Sequence, residues 1–287
     1  MENSTVLTSN QVSEKKSVLK VENLNAAYGK KSILKNINLE FYEKSFNCII
    51  GENGSGKSTL LNILCGIENP SLSILDGKVF LNSKDIKSYK KNEIAKNISF
   101  LPQSEHYSWN HLVEDVVLMG RFPYSKGFFG YTKEDKIYGE KALEEVGILH
   151  LKDRYIFELS GGEYQQVLIA RSLCQNAKIL VLDEPFTHLD ISKEHKLLRL
   201  LKKLVEEKNL CVIIIIHDIN HAALFSENMV ILKEGEILAQ GDVKSVFTKP
   251  NLDLAFDNVF HVIYRPEINA LQAFPGNAQE ISTQNTN

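Results

Sequence analysis

The feature that most constrains this chain is a glycine-rich turn between an apolar strand and a helical pattern. Cys48-Ile49-Ile50 leads into the turn, and Leu60-Leu61-Asn62-Ile63-Leu64 follows it. Four residues separate Gly51 from Gly56-Lys57-Ser58, which is the spacing of a phosphate-binding loop. Glycines let backbone N–H groups approach phosphate oxygens at a helix N-terminus, where the helix dipole favours anions. The predicted nucleotide-binding residues are Gly51, Glu52, Asn53, Gly54, Ser55, Gly56, Lys57, Ser58 and Thr59.

Such a loop needs a carboxylate at the end of a second apolar strand, to hold the shell of a magnesium ion. Ile179-Leu180-Val181-Leu182 ends in Asp183-Glu184 and supplies it. We expect Asp183 to belong to the Mg²⁺ shell, directly or through water, and Glu184 to act as the general base on an attacking water. Lys57 suits the β- and γ-phosphates and the Ser58 hydroxyl suits Mg²⁺. The alternative is an acidic turn that merely ends a strand.

Composition and charge narrow the class of protein. The 287 residues carry a net charge of −3, without the basic excess of a nucleic-acid-binding domain, so no nucleic-acid partner is expected. The longest aliphatic run, residues 212–216, is far shorter than the roughly 20 residues of a membrane helix. Residues 1–16 are polar and lack the apolar core of a secretory signal. The four cysteines lie singly in apolar patterns, which is typical of core residues in a reducing cytosol.

The order of the apolar patterns predicts an α/β fold. Partial alternation over residues 17–24 and 33–41 indicates half-buried antiparallel strands. Continuous apolar runs at residues 179–182 and 211–216 indicate parallel strands that are covered on both faces. Residues 104–157 have helical periodicity instead, and we interpret them as a helical insertion in the α/β core.

Changes in composition predict the domain boundaries. Residues 1–16 are polar and are predicted to be disordered, and residues 17–250 are predicted to form the main domain. Residues 251–287 form a C-terminal extension with one short amphipathic piece. From about Gly276 the extension is rich in Asn, Gln and Thr, so we expect its tail to be disordered.

Three further motifs accompany the phosphate loop and the carboxylate strand. They are Leu159-Ser160-Gly161-Gly162-Glu163, Gln103 after a strand, and His217 after Ile213-Ile214-Ile215-Ile216. Together, the motifs resemble those of the ATP-binding cassette (ABC) ATPases, and the resemblance covers about residues 18–248. It implies an α/β P-loop NTPase core of the RecA-like type, with an antiparallel β subdomain and an inserted α-helical subdomain at about residues 104–157.

The resemblance implies roles for single residues. Tyr28 matches the aromatic that stacks on adenine, and an ordinary core aromatic at a strand edge is the alternative. Gln103 resembles the residue that contacts Mg²⁺ or the attacking water, and His217 resembles the residue that contacts the γ-phosphate. The implied cofactors are ATP and Mg²⁺. The implied metal contacts are Ser58, Gln103 and Asp183, and the implied catalytic residues are Glu184, His217 and Gln103.

The Ser-Gly-Gly turn predicts a second helix N-terminus suited to an anion. One nucleotide needs only one such helix N-terminus, and chains of this family are known to close head to tail on two nucleotides. The resemblance therefore implies a dimer with a second copy, in which one copy offers Ser160, Gly161 and Gly162 to the nucleotide of the other. Asp190 matches the loop that communicates across such a dimer.

A finer resemblance is to importers of iron chelates, haem and cobalamin. It rests on Leu118-Met119-Gly120-Arg121-Phe122-Pro123-Tyr124, Leu189-Asp190-Ile191 and His217-Asp218-Ile219-Asn220-His221-Ala222. It implies an ATP-hydrolysing importer subunit at the cytoplasmic face of the cell membrane, with a ferric siderophore as the favoured cargo and haem or cobalamin as alternatives. The implied partners are separate membrane permease subunits and, indirectly, a substrate-binding protein. We expect the permease to dock near Gln103, where Trp109 and Tyr124 are predicted to be exposed.

Other interpretations and some departures remain. A non-transport ABC ATPase of DNA repair or translation is one alternative, although such chains typically carry long insertions or tandem cassettes. A GTPase would need Asn-Lys-x-Asp, and Asn82-Ser83-Lys84-Asp85 has the wrong order.

Some residues depart from the family pattern. Residues 43–46 lack the glycine that is usual before the loop strand, and His188 replaces a small residue. Tyr164 and Gln166 stand where positive charges are common. No departure removes a predicted catalytic group.

Overall fold

The computed structural model describes residues 15–105, 107–125 and 130–276. The strands are β1 (Ser17–Tyr28), β2 (Lys31–Tyr42), β3 (Ser45–Ile50), β4 (Leu72–Leu81), β5 (Lys84–Asp85), β6 (Ile98–Leu101), β7 (Ile179–Asp183), β8 (Cys211–Ile215), β9 (Asn228–Lys233), β10 (Glu236–Asp242), β11 (Phe260–Arg265) and β12 (Ala270–Pro275). The α-helices are α1 (Lys57–Leu64), α2 (Lys91–Asn97), α3 (Val113–Leu118), α4 (Lys133–Val146), α5 (Gly161–Cys174), α6 (Ile191–Lys208), α7 (Ile219–Phe225), α8 (Val243–Val246) and α9 (Lys249–Phe256). Short 3₁₀ helices cover Ile86–Ser88, Met119–Tyr124, Leu149–Leu151 and Ile156–Glu158.

Six strands form the central sheet, in the order β10-β9-β3-β8-β7-β6. β3 pairs in parallel with β8 and β9, and β7 pairs in parallel with β8 and β6. β10 closes one edge antiparallel to β9. Every residue of β3, β7 and β8 is buried, as expected for parallel strands with both faces covered. The predicted α/β fold class is confirmed.

The parallel strands bring the predicted site residues to one edge of this sheet. Gly51 follows β3, His217 follows β8, Asp183 ends β7, and Gln103 follows β6. These four strands are neighbours in the order β3-β8-β7-β6. The carboxyl ends of parallel strands are the usual position of a ligand site in such sheets.

A separate antiparallel sheet, β2-β1-β4-β5, covers the helix that follows the phosphate loop. Phe41 of β2, Leu60 of α1 and Ile49 of β3 belong to one buried apolar cluster between the two sheets. β1 and β4 are longer than predicted, because Tyr28 pairs with Leu72 far beyond the alternating residues.

The missing glycine before β3 has a conformational substitute. The turn between β2 and β3 requires a left-handed residue, and Lys44 adopts it with a φ of 52°. A lysine can occupy this region, although a side chain makes it less favourable than it is for glycine. The departure therefore leaves the turn in place.

The region predicted as a helical insertion contains α3, α4 and the 3₁₀ segments that flank them. A Cβ added at Gly120 would lie 2.2 Å from the carbonyl oxygen of Arg171, so glycine is needed for the close approach to α5. The buried Arg121 side chain pairs with Asp135 at 2.8 Å and donates to the Cys174 carbonyl at 3.2 Å. These contacts tie the insertion to the C-terminal end of α5.

Exposed aromatic side chains lie on this insertion. Trp109 is 76% exposed, as predicted, and Phe122 is 75% exposed. Tyr124 was predicted to be exposed as well, and this was wrong. Its ring is half-buried, because it stacks on the Arg121 guanidinium at 4.0 Å from the ring centroid.

The C-terminal extension contains more structure than its sequence predicts. The expected amphipathic piece corresponds to α9, but the hairpin β11–β12 was not predicted. Few side chains of this hairpin point inward, among them Phe260 and Ala273, so its alternation of apolar and polar residues is weak. The predictions of disorder at residues 1–14 and 277–287 lie outside the described residues.

The four cysteines are free thiols in the core, as predicted. Burial raises the pKa of the Cys48, Cys174 and Cys211 thiols to about 12. Within the described part of the chain, no helix combines the length and the apolar character that a membrane crossing requires.

Candidate functional site

The phosphate loop joins β3 to α1 through glycines in conformations that other residues rarely adopt. Gly51, Gly54 and Gly56 have φ angles of 147°, 83° and 105°. A Cβ on Gly51 would lie 2.1 Å from the Leu232 carbonyl oxygen, and one on Gly56 would lie 2.9 Å from Leu34. The loop is therefore held closely by β9 and β2, and its glycines are required for backbone geometry and for space.

The N-terminus of α1 is left open for an anion. Its cap residue is Gly56, no side chain accepts from its first N–H groups, and no acidic residue lies in its first turn. These N–H donors and the positive end of the helix dipole favour a phosphate group there.

Lys57 lies within the loop and is almost fully buried. Its ammonium donates to the carbonyl oxygens of Gly51 and Glu52, both at 2.8 Å. Burial lowers the pKa of Lys57, and the nearby carboxylates of Glu184 and Asp183 oppose that shift. The ammonium thus keeps the loop in a curved conformation around the position expected for phosphate oxygens.

Two buried oxygen atoms beside the loop lack a hydrogen-bond partner among the described residues. They are Ser55 Oγ and Asp183 Oδ1. Burial raises the pKa of Asp183, while a hydrogen bond from Ser58 and the charge of Lys57 lower it. A buried carboxylate oxygen without a donor, next to a serine hydroxyl, is a donor set of the hard oxygen type that Mg²⁺ prefers. The residues present therefore fit a magnesium ion.

Two side chains that follow neighbouring strands contact the Glu184 carboxylate. Gln103 Nε2 donates to Glu184 Oε2 at 2.6 Å, and His217 Nε2 lies 2.7 Å from the same oxygen. The Glu184 side chain is 10% exposed, whereas that of His217 is 58% exposed. Glu184 has a φ of 51°, an uncommon value for a non-glycine residue that is often found at functional sites. Of the three residues predicted as catalytic, Gln103 and His217 thus both contact Glu184 directly.

The Ser-Gly-Gly turn opens α5 as predicted, and its helix N-terminus is capped by its own side chains. The Glu163 N–H donates to Ser160 Oγ at 3.4 Å, and the Ser160 N–H and hydroxyl donate to Glu163 Oε2 at 2.9 and 2.7 Å. This is a capping box. The hydrogen bonds from Ser160 lower the pKa of Glu163.

The loop before α6 packs against that turn. Asp190 caps α6 by accepting from the Lys193 N–H at 2.9 Å. His188, the departure from a small residue, has a φ of 72° and lies against the turn, where a Cβ on Gly161 would be 3.4 Å from its own Cβ. A Cβ on Gly162 would be 3.1 Å from the His188 carbonyl oxygen, so little space is left beside Gly162.

Tyr28 and the Ser-Gly-Gly turn are not joined to the phosphate loop. Tyr28 ends β1 half-buried, and its hydroxyl accepts from Asn69 at 3.4 Å. Across residues 15–105, 107–125 and 130–276, no hydrogen bond or ion pair links residues 160–162 to residues 51–59. The predicted site residues therefore form two groups, one around Glu184 and the other at the start of α5, and Tyr28 belongs to neither.

Sequence reasoning missed several residues that support the first group. The Gly235 N–H donates to the Ser55 carbonyl at 3.1 Å, and the Gly235 carbonyl accepts from the Lys35 N–H at 2.8 Å. Thr187 Oγ1 donates to the Glu184 carbonyl at 3.0 Å. Gly235 lies in the turn between β9 and β10, and nothing local in the sequence connects this turn with the distant phosphate loop.

The fold and this site together define a P-loop nucleotide-binding protein of the α/β class. Comparison with known proteins agrees: residues 34–187 match the family described as ABC transporter. The chain is 36% identical over 251 residues to the iron(3+)-hydroxamate import ATP-binding protein FhuC of Bacillus subtilis (strain 168), covering 88% of this chain and 92% of that protein. It is 38% identical over 230 residues to the ferric enterobactin transport ATP-binding protein FepC of Escherichia coli (strain K12), covering 80% and 83%.

Solved structures give the same result. A putative metal-chelate type ABC transporter in an inward-facing conformation matches with a TM-score of 0.79 at 27% identity, covering 92% of this chain and 99% of that one. A dimeric ATP-binding cassette bound to ADP and Pi matches with a TM-score of 0.68 at 30% identity, covering 78% and 98%. The chain belongs to the ABC transporter family, and its cassette is an ATP-binding domain.

Proposed function

We propose that this chain is the ATP-hydrolysing subunit of an ABC importer that energises uptake of a ferric siderophore. The observation that carries the proposal is the pair of contacts on one Glu184 oxygen, from Gln103 at 2.6 Å and His217 at 2.7 Å, at the sheet edge of the phosphate loop. The cargo class is supported by relatives that are named for import of ferric hydroxamate, enterobactin and petrobactin.

In this proposal ATP binds with its phosphates in the loop of residues 51–59. The Lys57 ammonium exchanges its loop carbonyl partners for β- and γ-phosphate oxygens, and the open N-terminus of α1 neutralises further charge. Tyr28 stacks on adenine, a contact worth about 1–3 kcal/mol that does not read the edge of the base. These groups account for binding but not for hydrolysis.

Ser58, Asp183 and Gln103 would hold Mg²⁺, which supplies charge neutralisation at the β- and γ-phosphates. The orphan oxygen of Asp183 supports this assignment. Glu184 accepts a proton from a water while the water oxygen bonds to the γ-phosphorus and the bond to the leaving ADP oxygen breaks. Gln103 and His217 orient the Glu184 carboxylate, and His217 contacts the γ-phosphate.

The partner side of the site is part of the same proposal. ABC cassettes form dimers in solved structures that match this chain. We place Ser160, Gly161 and Gly162 of a second copy, arranged head to tail, on the nucleotide held by the first, with Asp190 at the contact between the copies. The two groups of residues described above then become one site.

The remaining partners follow from importer function. We propose that the chain lies peripherally at the cytoplasmic face of the membrane on permease subunits, which receive cargo from a substrate-binding protein. The exposed aromatic side chains of Trp109 and Phe122 on the insertion would contact the permease near Gln103. Aromatic side chains of this kind are enriched at protein interfaces.

The test compares Glu184→Gln with Glu68→Gln, whose side chain is 79% exposed in a surface ion pair. We expect Glu184→Gln to bind ATP, to accumulate as a closed dimer in size-exclusion chromatography, and to lose ATP turnover and uptake of ferric hydroxamate in cells that depend on this chain. Glu68→Gln should behave like the parent: it should bind and turn over ATP, support uptake, and not accumulate as a closed dimer. Hydrolysis by Glu184→Gln at the parental rate would refute the assignment of Glu184 as the base.

A further inference from the structure

The C-terminal extension is attached at two places beside the nucleotide site. At one, Lys233 Nζ donates to the Leu254 carbonyl and to Asp257 Oδ1, both at 2.5 Å. Lys233 opens the turn whose Gly235 supports the phosphate loop through Ser55. The attachment therefore connects α9 with the support of the phosphate loop.

The second attachment is on α7, the helix that begins after His217. Asp218 caps α7 by accepting from the N–H groups of Asn220 at 2.8 Å and His221 at 3.1 Å. The Asn220 side-chain amide then reaches β12, where its Nδ2 donates to the Ala273 carbonyl at 3.1 Å and its Oδ1 accepts from the Ala273 N–H at 2.7 Å. This pair of hydrogen bonds imitates one step of strand pairing.

The backbone of β12 is arranged for this contact. Ala273 lies opposite Val262 in the hairpin, at a position where N–H and carbonyl groups point away from the neighbouring strand. The edge of the hairpin thus offers a donor and an acceptor that Asn220 satisfies together. Ala273 is buried in the same apolar cluster as Ala222 and Phe225 of α7, so the contact is packed as well as hydrogen-bonded.

The extension also faces the loop directly. Phe256 at the end of α9 lines a cavity of about 390 Å³ together with His217 and the loop residues Gly51, Glu52 and Asn53. The Phe256 and Phe260 rings pack edge to face, with 5.9 Å between the ring centroids, and Phe260 belongs to β11. α9 and the hairpin therefore act as one packed unit beside His217.

We infer that the C-terminal extension positions His217 for ATP hydrolysis, and that Asn220 is the positioning residue that links the two. The inference rests on the proposed function, because it takes from it the role of His217. α7 has only 7 residues, and so short a helix takes its orientation from tertiary contacts rather than from its own stability. Its first turn directly follows His217, whose contact with Glu184 depends on where that turn lies.

Two variants break the link from opposite sides. Asn220→Ala removes the side-chain amide. Ala273→Pro removes the backbone N–H that donates to Asn220 Oδ1, without removing a hydrogen bond between the two hairpin strands. We expect each to lower kcat for ATP about three- to tenfold, because a small displacement of a reacting group is costly, while KM for ATP stays unchanged. The double variant should lose no more than the more affected single variant, since both remove one contact.

The matched control is Asn251→Ala, which removes a side-chain hydrogen bond of 2.9 Å from the extension to the Val246 carbonyl of α8, with neither partner on α7. Its kcat should be parental. Equal kcat values for Asn220→Ala and Asn251→Ala, or additive losses in the double variant, would overturn the inference. If Asn220→Ala does not fold, Ala273→Pro alone decides by its kcat. These results are distinct from a failure of the proposed function, which Glu184→Gln detects by retaining hydrolysis.

Discussion

Two helix N-termini carry the predicted phosphate-binding residues of this chain, and they are built in opposite ways. At α1 the cap is Gly56, no side chain accepts from the first N–H groups, and the Lys57 ammonium lies alongside. At α5 the Ser160 hydroxyl accepts from the first turn, and the Glu163 carboxylate lies over the helix N-terminus. The first is open to an anion, whereas the second already holds a carboxylate from its own chain.

This difference suggests a sequence of events in the proposed dimer. No side chain caps the first N–H groups of α1, so a phosphate group displaces no capping contact there, and we expect one chain to bind ATP unaided. At α5 a phosphate must approach a helix whose donors are partly satisfied and whose first turn carries a negative charge. We therefore expect the α5 contribution to appear only in the closed pair, where differential affinity for ATP shifts the equilibrium.

The largest expected effect tests the uncapped N-terminus of α1. Lys57→Ala removes the buried ammonium, and we expect the affinity of the single chain for ATP to fall at least about 100-fold, which corresponds to about 2.7 kcal/mol. Calorimetric titration with ATP measures it. Lys91→Ala is the control, because that ammonium belongs to an exposed surface ion pair with Glu68. If the affinity of Lys57→Ala for ATP is within threefold of the parental affinity, the uncapped N-terminus of α1 and Lys57 do not form the phosphate site of the single chain.

A second prediction concerns the folding stability that is lost because the Asp183 carboxylate, which is suited to a cation, is buried. Burial raises the pKa of Asp183, so the folded chain binds that proton more tightly than the unfolded chain does. Stability then falls as pH rises from the unfolded pKa through the folded one, and the ionised carboxylate destabilises the fold at neutral pH. Asp183→Asn should raise the Tm at pH 7.5 by about 2 °C, and the gain should shrink in acid.

Asp190→Asn is the control beside the Ser-Gly-Gly turn, because asparagine caps a helix about as well as aspartate does. Its Tm should equal that of the parent at both pH values. Scanning calorimetry of the ligand-free chains makes the measurement. A lower Tm for Asp183→Asn at pH 7.5 would show that Asp183 is satisfied in the ligand-free fold.

The smallest effect is expected at the capped N-terminus of α5. Ser160→Ala removes the capping hydroxyl of α5 and should cost about 1 kcal/mol of stability, seen as a Tm lowered by about 2 °C. ATP affinity of the single chain should stay parental, because Ser160 does not touch the phosphate loop of its own chain. A loss of ATP affinity as large as that of Lys57→Ala would show that both helices serve one chain.

Much of this architecture follows from local patterns, because each motif carries its own chemistry. The glycine spacing predicted the loop, and the apolar runs before Asp183 and His217 predicted parallel strands that are covered on both faces. What could not be predicted depends on contacts between distant segments. Tyr124 is half-buried on the Arg121 guanidinium, and that guanidinium is held in turn by Asp135 and by the Cys174 carbonyl of α5.

The C-terminal hairpin shows the same limit. Its strands turn few apolar side chains inward, so periodicity could not reveal them, and Asn220 was visible only as part of the segment from His217 to Ala222 that resembles importers. Only the pairing with Ala273 shows why an asparagine at this position can hold the hairpin.

The most direct test of the account mixes two variants that are inactive alone. Lys57→Ala disables the open helix N-terminus, and Gly161→Asp places a negative charge at the capped one, where a Cβ has room at 3.4 Å from its nearest neighbour. In a head-to-tail pair, one of each leaves one site with both halves intact. The account predicts that the mixture regains up to about a quarter of the parental ATPase rate. A mixture as inactive as either variant alone would contradict a site shared between two chains.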